Sequence, residues 1–290
     1  MIRYITGNRV TNAKIMKCYF ICLAVLLTSC YRNKEAIKIK GSDTEVNLAV
    51  QLAESFHEIN SDVFVSVSGG GSGLGIASLL NGNADVANSS RSIKKEEIEL
   101  FEKRGAPIDS FVFAQDAIAF VVADDLPVDS INIADLANIL NGHYKNWLPL
   151  TNKNMLINIY GRQSNSGTHD FIKNKLGIDF TPYAKQMNGN AQILEAIKAD
   201  HSGIGYVGAG YVAKGSKGIK VLLIYPAKDQ PAVSPLDAAM IAAGKYYFQR
   251  PLFQYYKAAS YNKIKPFIDF EKSNEGKKII QAAGYYPINK

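Results

Sequence analysis

From residue 37 onward, short runs rich in β-branched and aromatic residues alternate with segments whose apolar residues recur at helical spacing. The pattern begins with a strand-like run at 37–40, followed by Leu48, Leu52 and Phe56 at the spacing of one helix face. Such alternation restricts the chain to an α/β fold, because successive strands must be joined across a sheet by helices, which favours parallel pairing. We therefore predict an α/β protein with mainly parallel strands.

The alternation forms two successive series, and an apolar run at 117–123, predicted as a buried strand, begins the second. We predict two α/β lobes that share crossing strands, with lobe 1 formed by 36–116 plus 251–290 and lobe 2 by 117–250. The predicted strands are 37–40, 63–67, 84–87, 111–113, 117–123, 156–160, 204–207, 219–225 and 251–256. The predicted helices lie around 48–59, 76–80, 98–101, 133–141, 168–176, 191–199, 264–270 and 275–283.

The N-terminal segment has the pattern of an export signal. Lys17 precedes an apolar run at 18–27, about half as long as the roughly 20 residues that a bilayer-spanning helix needs. The run ends in Leu-Thr-Ser-Cys30, which resembles the lipobox of bacterial lipoproteins. We predict a lipoprotein signal peptide at 1–29, a lipid anchor on Cys30 and a tether at 30–36, which would hold the protein at the membrane in the cell envelope. A secretory signal that happens to end near a cysteine is the alternative.

Charge and cysteine content argue against nucleic-acid binding and against disulfides or cysteine-ligated metals. The formal net charge is +7, but removing the four basic residues of the leader from the 33 leaves 29 basic against 26 acidic residues. This balance does not favour a nucleic-acid-binding protein. Because all three cysteines lie within the first 30 residues, the remainder of the chain cannot form a disulfide or a thiolate metal site. We predict no metal and no cofactor.

Three turns between a predicted strand and a predicted helix could hold an anion, because exposed N–H groups and the helix dipole favour negative charge there. They are 41–44 (GSDT), 69–75 (GGGSGLG) and 161–168 (GRQSNSGT), and a fourth stretch, 85–91 (DVANSSR), follows a strand. In the third turn, the fork of Arg162 suits an oxyanion. A plain N-cap, a flexible turn and a surface ion pair are the respective alternatives for the three turns.

In order, these four segments resemble the phosphate-binding subunit of the bacterial high-affinity phosphate ABC transporter, and 136–147, 204–208 and 267–288 also fit that family. The resemblance implies a type II periplasmic-binding-protein fold, with two α/β lobes joined by crossing hinge strands and phosphate in the cleft between them. It implies a monomeric, non-enzymatic binding protein that hands phosphate to ABC permease subunits. The implied or candidate ligand-binding residues are Ser42, Asp43, Thr44, Ser72, Ser90, Arg91, Arg162, Ser166, Gly167 and Thr168.

One position departs from the family pattern. Well-known members carry an aspartate where this chain has Ser90, and that carboxylate accepts the proton of hydrogen phosphate and repels sulfate. Either Asp43 takes over this role, or the ligand is another oxyanion such as sulfate, molybdate or tungstate.

A phosphate-ester hydrolase with Ser72 or Ser166 as nucleophile is the competing enzyme hypothesis, with His169 as a conceivable general base. The glycine turn lacks the Gly-Lys-Ser/Thr of a P-loop, and the G-x-G-x-x-G at 203–208 straddles a strand rather than following one. The four histidines show neither metal-ligand spacing nor a convincing Ser-His-Asp order; they are His57, His143, His169 and His201. We therefore predict a binding protein and not an enzyme.

Overall fold

A computed structural model describes residues 36–227 and 229–288 of the chain. The predicted signal peptide 1–29, the anchor Cys30 and the tether up to residue 35 lie outside the described residues. The strands are β1 (Ile37–Gly41), β2 (Val65–Ser68), β3 (Val86–Ser89), β4 (Ile108–Ala123), β5 (Ser130–Asn132), β6 (Asn158–Arg162), β7 (Lys185–Met187), β8 (Gly203–Gly208), β9 (Ile219–Val221), β10 (Leu223–Tyr225), β11 (Gln249–Lys257) and β12 (Tyr286–Pro287).

Helices connect most of these strands, as the alternation of the sequence predicts. The helices are α1 (Val46–Ile59), α2 (Ser72–Leu80), α3 (Lys95–Lys103), α4 (Ile133–Leu140), α5 (Leu148–Thr151), α6 (Gly167–Leu176), α7 (Asn190–Ala199), α8 (Ala238–Ala242), α9 (Tyr261–Lys272) and α10 (Asn274–Ala282). Within the described ranges, no helix is both long enough and apolar enough to cross a bilayer.

Among the described residues, the main sheet has ten strands, eight of them in the order β2-β1-β3-β11-β4-β8-β6-β7. Strands β1, β2 and β3 pair in parallel at one end, and β6, β7 and β8 pair in parallel at the other. We call these the first and second sheet sections. The prediction of parallel pairing is confirmed in both sections but is wrong for the middle, where β4 and β11 pair antiparallel. The chain makes that pairing because β11 runs back alongside β4 after the second section is complete.

Strand β4 is the element that links the two sections. Its residues 108–117 pair with β11, and residues 118–122 pair with β8. The prediction of separate strands at 111–113 and 117–123 is wrong, because Gln115 and Asp116 interrupt the apolar pattern without interrupting the backbone pairing. The predicted lobe boundaries fall inside β4 and β11, while the described residues form one compact unit. The division into two lobes therefore stays a prediction.

The predicted single strand at 219–225 is two strands. Strand β9 pairs with β4, whereas β10 pairs with β5 in a separate two-stranded sheet. Leu222 lies between them and is fully buried. The periodicity of the sequence does not show this break, because both strands and the residue between them are apolar enough to read as one run.

Each sheet section has its own apolar core. In the first, one face of α1 buries Leu48, Leu52 and Phe56 against β1 and α9. In the second, Trp147 and Phe120 belong to a core that packs on β8. Two further apolar clusters pack on the same sheet, one in each section. The buried polar residues of the candidate site lie where the two sections meet.

Candidate functional site

Five of the predicted residues meet in one buried group of hydroxyls, which we call the hydroxyl cluster. Its members are Ser42, Thr44, Ser72, Ser90 and Thr168. The Ser42 hydroxyl donates to Ser90 Oγ at 3.0 Å, and Ser72 Oγ lies 3.4 Å from Ser90 Oγ. Thr44 Oγ1 lies 3.0 Å from Thr168 Oγ1. The fold thus brings together side chains from four separate segments, and the contacting Thr44 and Thr168 are 124 positions apart in sequence.

The first turn owes its position to glycine. Gly41 has a φ of +143°, and a Cβ there would lie 2.1 Å from the carbonyl oxygen of Asn88. The Ser42 N–H donates to that same oxygen at 2.9 Å. Because no side chain separates the ends of β1 and β3, Ser42 faces Ser90 directly.

The glycine loop joins the other two turns through its backbone. Gly71 has a φ of +113°, and its N–H donates to Gly41 O at 2.8 Å. The N–H of Gly73 donates to Asn165 O at 3.1 Å. Ser72 is therefore fixed between the first turn and the 161–168 turn, where it begins α2.

Gly167 allows helix α6 to reach the hydroxyl cluster. A Cβ on Gly167 would lie 2.3 Å from Ser72 Oγ and 2.6 Å from Ser90 Oγ, so a larger residue does not fit without displacing them. Ser166 is the N-cap of α6, and its hydroxyl accepts from the Thr168 N–H at 3.2 Å. The start of α6 thus points at the cluster, with the electrostatic preference for an anion that a helix N-terminus provides.

Arg162 is a buried cation that is only partly paired. Its Nη2 donates to Asn188 O at 2.9 Å, and its Nη1 lies 3.4 Å from Asp43 Oδ2. Its Nε has no hydrogen-bond partner among the described residues, although it is buried. Burial lowers the pKa of Arg162, with a smaller contribution from the positive charge of Arg250. A desolvated guanidinium with an unused donor is a favourable place for an oxyanion.

Asp43 is held by residues that we did not predict. Its Oδ2 accepts from the backbone N–H of Asn190 at 2.8 Å and from Asn190 Nδ2 at 2.7 Å. Its carbonyl oxygen accepts from the Tyr211 hydroxyl at 2.8 Å. Asp43 therefore links the first turn to the second sheet section, and its role as the proton acceptor stays a prediction.

Arg91 is a candidate residue whose guanidinium group is already paired with acidic side chains. Its Nη1 and Nη2 donate to the two carboxylate oxygens of Glu97 at 2.8 and 2.7 Å. Its Nε lies 3.7 Å from Asp170 Oδ2, and Lys94 Nζ lies 2.9 Å from Asp170 Oδ1. The fork of Arg91 is thus occupied by carboxylates, and the geometry does not support a direct ligand contact.

Two residues at the centre of the site were absent from the prediction. Arg250 and Asp116 are fully buried, and Arg250 Nε and Nη2 donate to Asp116 Oδ2 at 3.0 and 2.8 Å. A signal existed, because Asp116 is the one charged residue in the apolar stretch 111–123. A carboxylate in a buried strand requires a cationic or hydrogen-bonding partner. Nothing in the sequence identifies Arg250 as that partner.

The composition of the site favours an anion with several oxygens. Five hydroxyls, two guanidinium groups and the start of α6 provide more donors than the two aspartates can accept. No group of three or more His, Cys, Asp or Glu residues within the described ranges could hold a metal ion. The site can therefore bind an oxyanion by hydrogen bonds and charge from the protein itself.

Comparisons with known proteins agree with this chemistry. A family model described as the PBP superfamily domain matches residues 31–275. The phosphate-binding protein PstS of Borreliella burgdorferi is 30% identical over 292 aligned positions, which cover 95% of this chain and 99% of that protein.

Solved structures share the fold. An ABC-type phosphate transport receptor from Vibrio cholerae is 27% identical with a TM-score of 0.68, over 87% of this chain and 100% of that one. A phosphate-binding protein from Stenotrophomonas maltophilia is 14% identical with a TM-score of 0.72, over 88% and 91% of the two chains, and it supports the fold alone. These matches confirm the predicted periplasmic-binding-protein fold. The chain therefore belongs to the PBP superfamily and, within it, to the family of the phosphate-binding protein PstS.

Proposed function

We propose that this protein captures inorganic phosphate outside the cytoplasm and delivers it to the permease subunits of an ABC importer. The observation that carries the proposal is the unpartnered, buried Nε of Arg162 in the same site as the hydroxyl cluster. Relatives named as phosphate-binding proteins and as an ABC-type phosphate transport receptor support it. Such names describe binding proteins, and family membership confirms the prediction that the protein is not an enzyme.

Phosphate must exchange its hydration shell for protein donors, because a buried anion without hydrogen bonds is strongly disfavoured. The mutual hydrogen bonds of the hydroxyls can be exchanged for bonds to phosphate oxygens with small internal cost. Arg162 would donate a charge-assisted hydrogen bond to phosphate, and the helix dipole of α6 would stabilise the negative charge further. His169, the conceivable general base of the hydrolase hypothesis, stacks on Phe180 with ring centroids 4.5 Å apart.

We also propose that the protein is a monomer whose two lobes close over phosphate. Lobe 1 is formed by 36–116 plus 251–290, and lobe 2 by 117–250. Contacts between the two sheet sections support this proposal. Thr44 meets Thr168, and Lys94 pairs with Asp170. A ligand that binds the closed form more tightly shifts the population toward it, which would let the permease distinguish loaded from empty protein.

Calorimetry on the purified protein tests the proposed ligand. We expect one phosphate to bind per chain, and we expect sulfate at tenfold higher concentration to leave that binding unchanged. Molybdate and tungstate are titrated in parallel as controls for other oxyanions. Displacement of phosphate by sulfate at similar concentrations would contradict the phosphate assignment and favour another oxyanion.

We propose further that Cys30 carries a lipid anchor at the cell envelope. The support is the lipobox-like Leu-Thr-Ser-Cys30 at the end of an apolar run. In cells fed a labelled fatty acid, we expect the protein to be labelled and to sediment with membranes, and Cys30→Ser to lose both properties. Cys22→Ser is the matched control and should behave as wild type. Labelling that persists in Cys30→Ser would refute the anchor.

A further inference from the structure

The pair Asp116 and Arg250 lies on the two strands that connect the sheet sections. Asp116 of β4 and Arg250 of β11 are direct partners in the antiparallel register. Their side chains are fully buried and form an ion pair at 2.8 Å. A buried ion pair on adjacent strands gives little net stability compared with apolar residues of similar size. Its position at the hydroxyl cluster suggests a role in binding.

Arg250 contacts members of the cluster from both sections. Its Nη1 donates to Ser90 O at 3.1 Å. Its Nη2 lies 3.2 Å from Thr44 Oγ1 and 3.0 Å from Thr168 Oγ1. The guanidinium carbon also lies 5.5 Å from the centre of the Phe171 ring. The Arg250 side chain, on a crossing strand, therefore contacts the turn at 41–44, the stretch at 85–91 and the start of α6.

The number of hydrogens on Arg250 Nη2 does not equal the number of oxygens that surround it. This nitrogen carries two hydrogens but faces three oxygens: Asp116 Oδ2, Thr44 Oγ1 and Thr168 Oγ1. The two threonine hydroxyls also share one bond with each other. An anionic oxygen within hydrogen-bonding distance of both threonines would accept from both hydroxyls and from Nη2. Every donor at this point would then have an acceptor.

We infer that Arg250 is a second anion-binding arginine of the site, anchored by Asp116, and that phosphate contacts the crossing strands directly. The inference rests on the proposed phosphate function. Asp116 fixes the guanidinium through Nε and Nη2 on one oxygen, so that the remaining hydrogens point toward the cluster. Arg162 and Arg250 then approach the anion from different strands, which explains how two guanidinium groups share one buried site.

The test replaces the pair by neutral residues of similar shape. Removing Arg250 alone would leave Asp116 as a buried unpaired charge, so the double variant Asp116→Asn/Arg250→Gln is used. We expect it to fold, as judged by circular dichroism, and to bind phosphate about 30-fold more weakly, the order expected for the loss of a charged hydrogen bond. The matched control Asp269→Asn/Lys265→Gln removes an exposed ion pair and should bind as wild type.

A folded double variant that binds phosphate within about threefold of wild type would overturn the inference and leave the proposed function intact. Wild type that binds no phosphate would overturn both. If the double variant does not fold, the wild-type crystal structure with phosphate decides the question. We expect Arg250 Nη2 at hydrogen-bonding distance, about 3 Å, from a phosphate oxygen. A separation too large for direct contact would overturn the inference.

Discussion

Replacing Arg162 by glutamine will weaken phosphate binding by at least about 30-fold. Truncating one partner of a buried, hydrogen-bonded charge pair costs about 2 to 5 kcal/mol in binding, or about 30-fold to several thousand-fold. Arg162 is buried, and its Nε is a donor without a partner among the described residues. Glutamine keeps an amide donor but loses the charge and the planar fork, so the anion would remain desolvated without full compensation.

Isothermal titration calorimetry measures this effect, with thermal unfolding as a check on folding. The matched control is Arg104→Gln, because Arg104 bonds Leu80 O and Asn81 in an exposed position away from the hydroxyl cluster. We expect Arg104→Gln to bind phosphate within about twofold of wild type, since long-range effects of an exposed charge are screened by salt. Equal affinity of Arg162→Gln and Arg104→Gln would show that Arg162 is not a ligand residue.

The free energy of unfolding will fall steeply as the pH rises from 5 to 8, because of a buried carboxylic acid. Glu271 of α9 is fully buried, its Oε1 accepts from Gln254 Nε2 at 2.9 Å, and burial raises its pKa to about 8. Above pH 4.5 the unfolded chain releases this proton while the folded chain keeps it. Each pH unit between the two pKa values then lowers stability by about 1.4 kcal/mol, for a total of about 5 kcal/mol. Burial also raises the pKa of Glu45, which acts in the same direction.

The variant Glu271→Gln isolates the contribution of this acid. Glutamine is neutral at every pH and has nearly the same shape, so urea unfolding at pH 5, 6, 7 and 8 should show a flatter profile than wild type. The difference between wild type and variant should grow with pH by several kcal/mol, on the order given by the pKa shift. The exposed Glu275→Gln on α10 is the control and should keep the wild-type slope. Parallel profiles of wild type and Glu271→Gln would mean that Glu271 is ionised in the folded protein.

Local patterns predicted most of the elements and the turns of the site. Helix α1 and strand β1 appear where apolar spacing indicates, because their core faces are periodic. Glycine and hydroxyl residues after β1 and before α2 and α6 marked the candidate anion-binding turns, since such turns leave N–H groups unpaired. The same reasoning failed for 219–225. The two strands there belong to different sheets, but no polar or turn-forming residue marks the boundary between them.

Contacts distant in sequence account for what the patterns missed. Arg91 and Arg162 both follow strands in hydroxyl-rich stretches, and only the fold shows that Glu97 occupies the fork of Arg91. Asn190 reaches Asp43 from 147 positions away, and Arg250 reaches Asp116 from 134. Side chains that meet at the junction of the two sheet sections come from distant parts of the chain, and no local sequence pattern predicts that they will be in contact.

The α/β class, the glycine positions that bring the turns together and the hydroxyl-rich segments can be predicted from the chain alone, because they depend on the conformation of a few consecutive residues. Which charged groups share the site depends on how distant segments pack together. Burial makes charge pairing obligatory, and the antiparallel register of β4 and β11 places Asp116 beside Arg250. The identity of each partner therefore follows from strand pairing across the whole chain, which no local pattern contains.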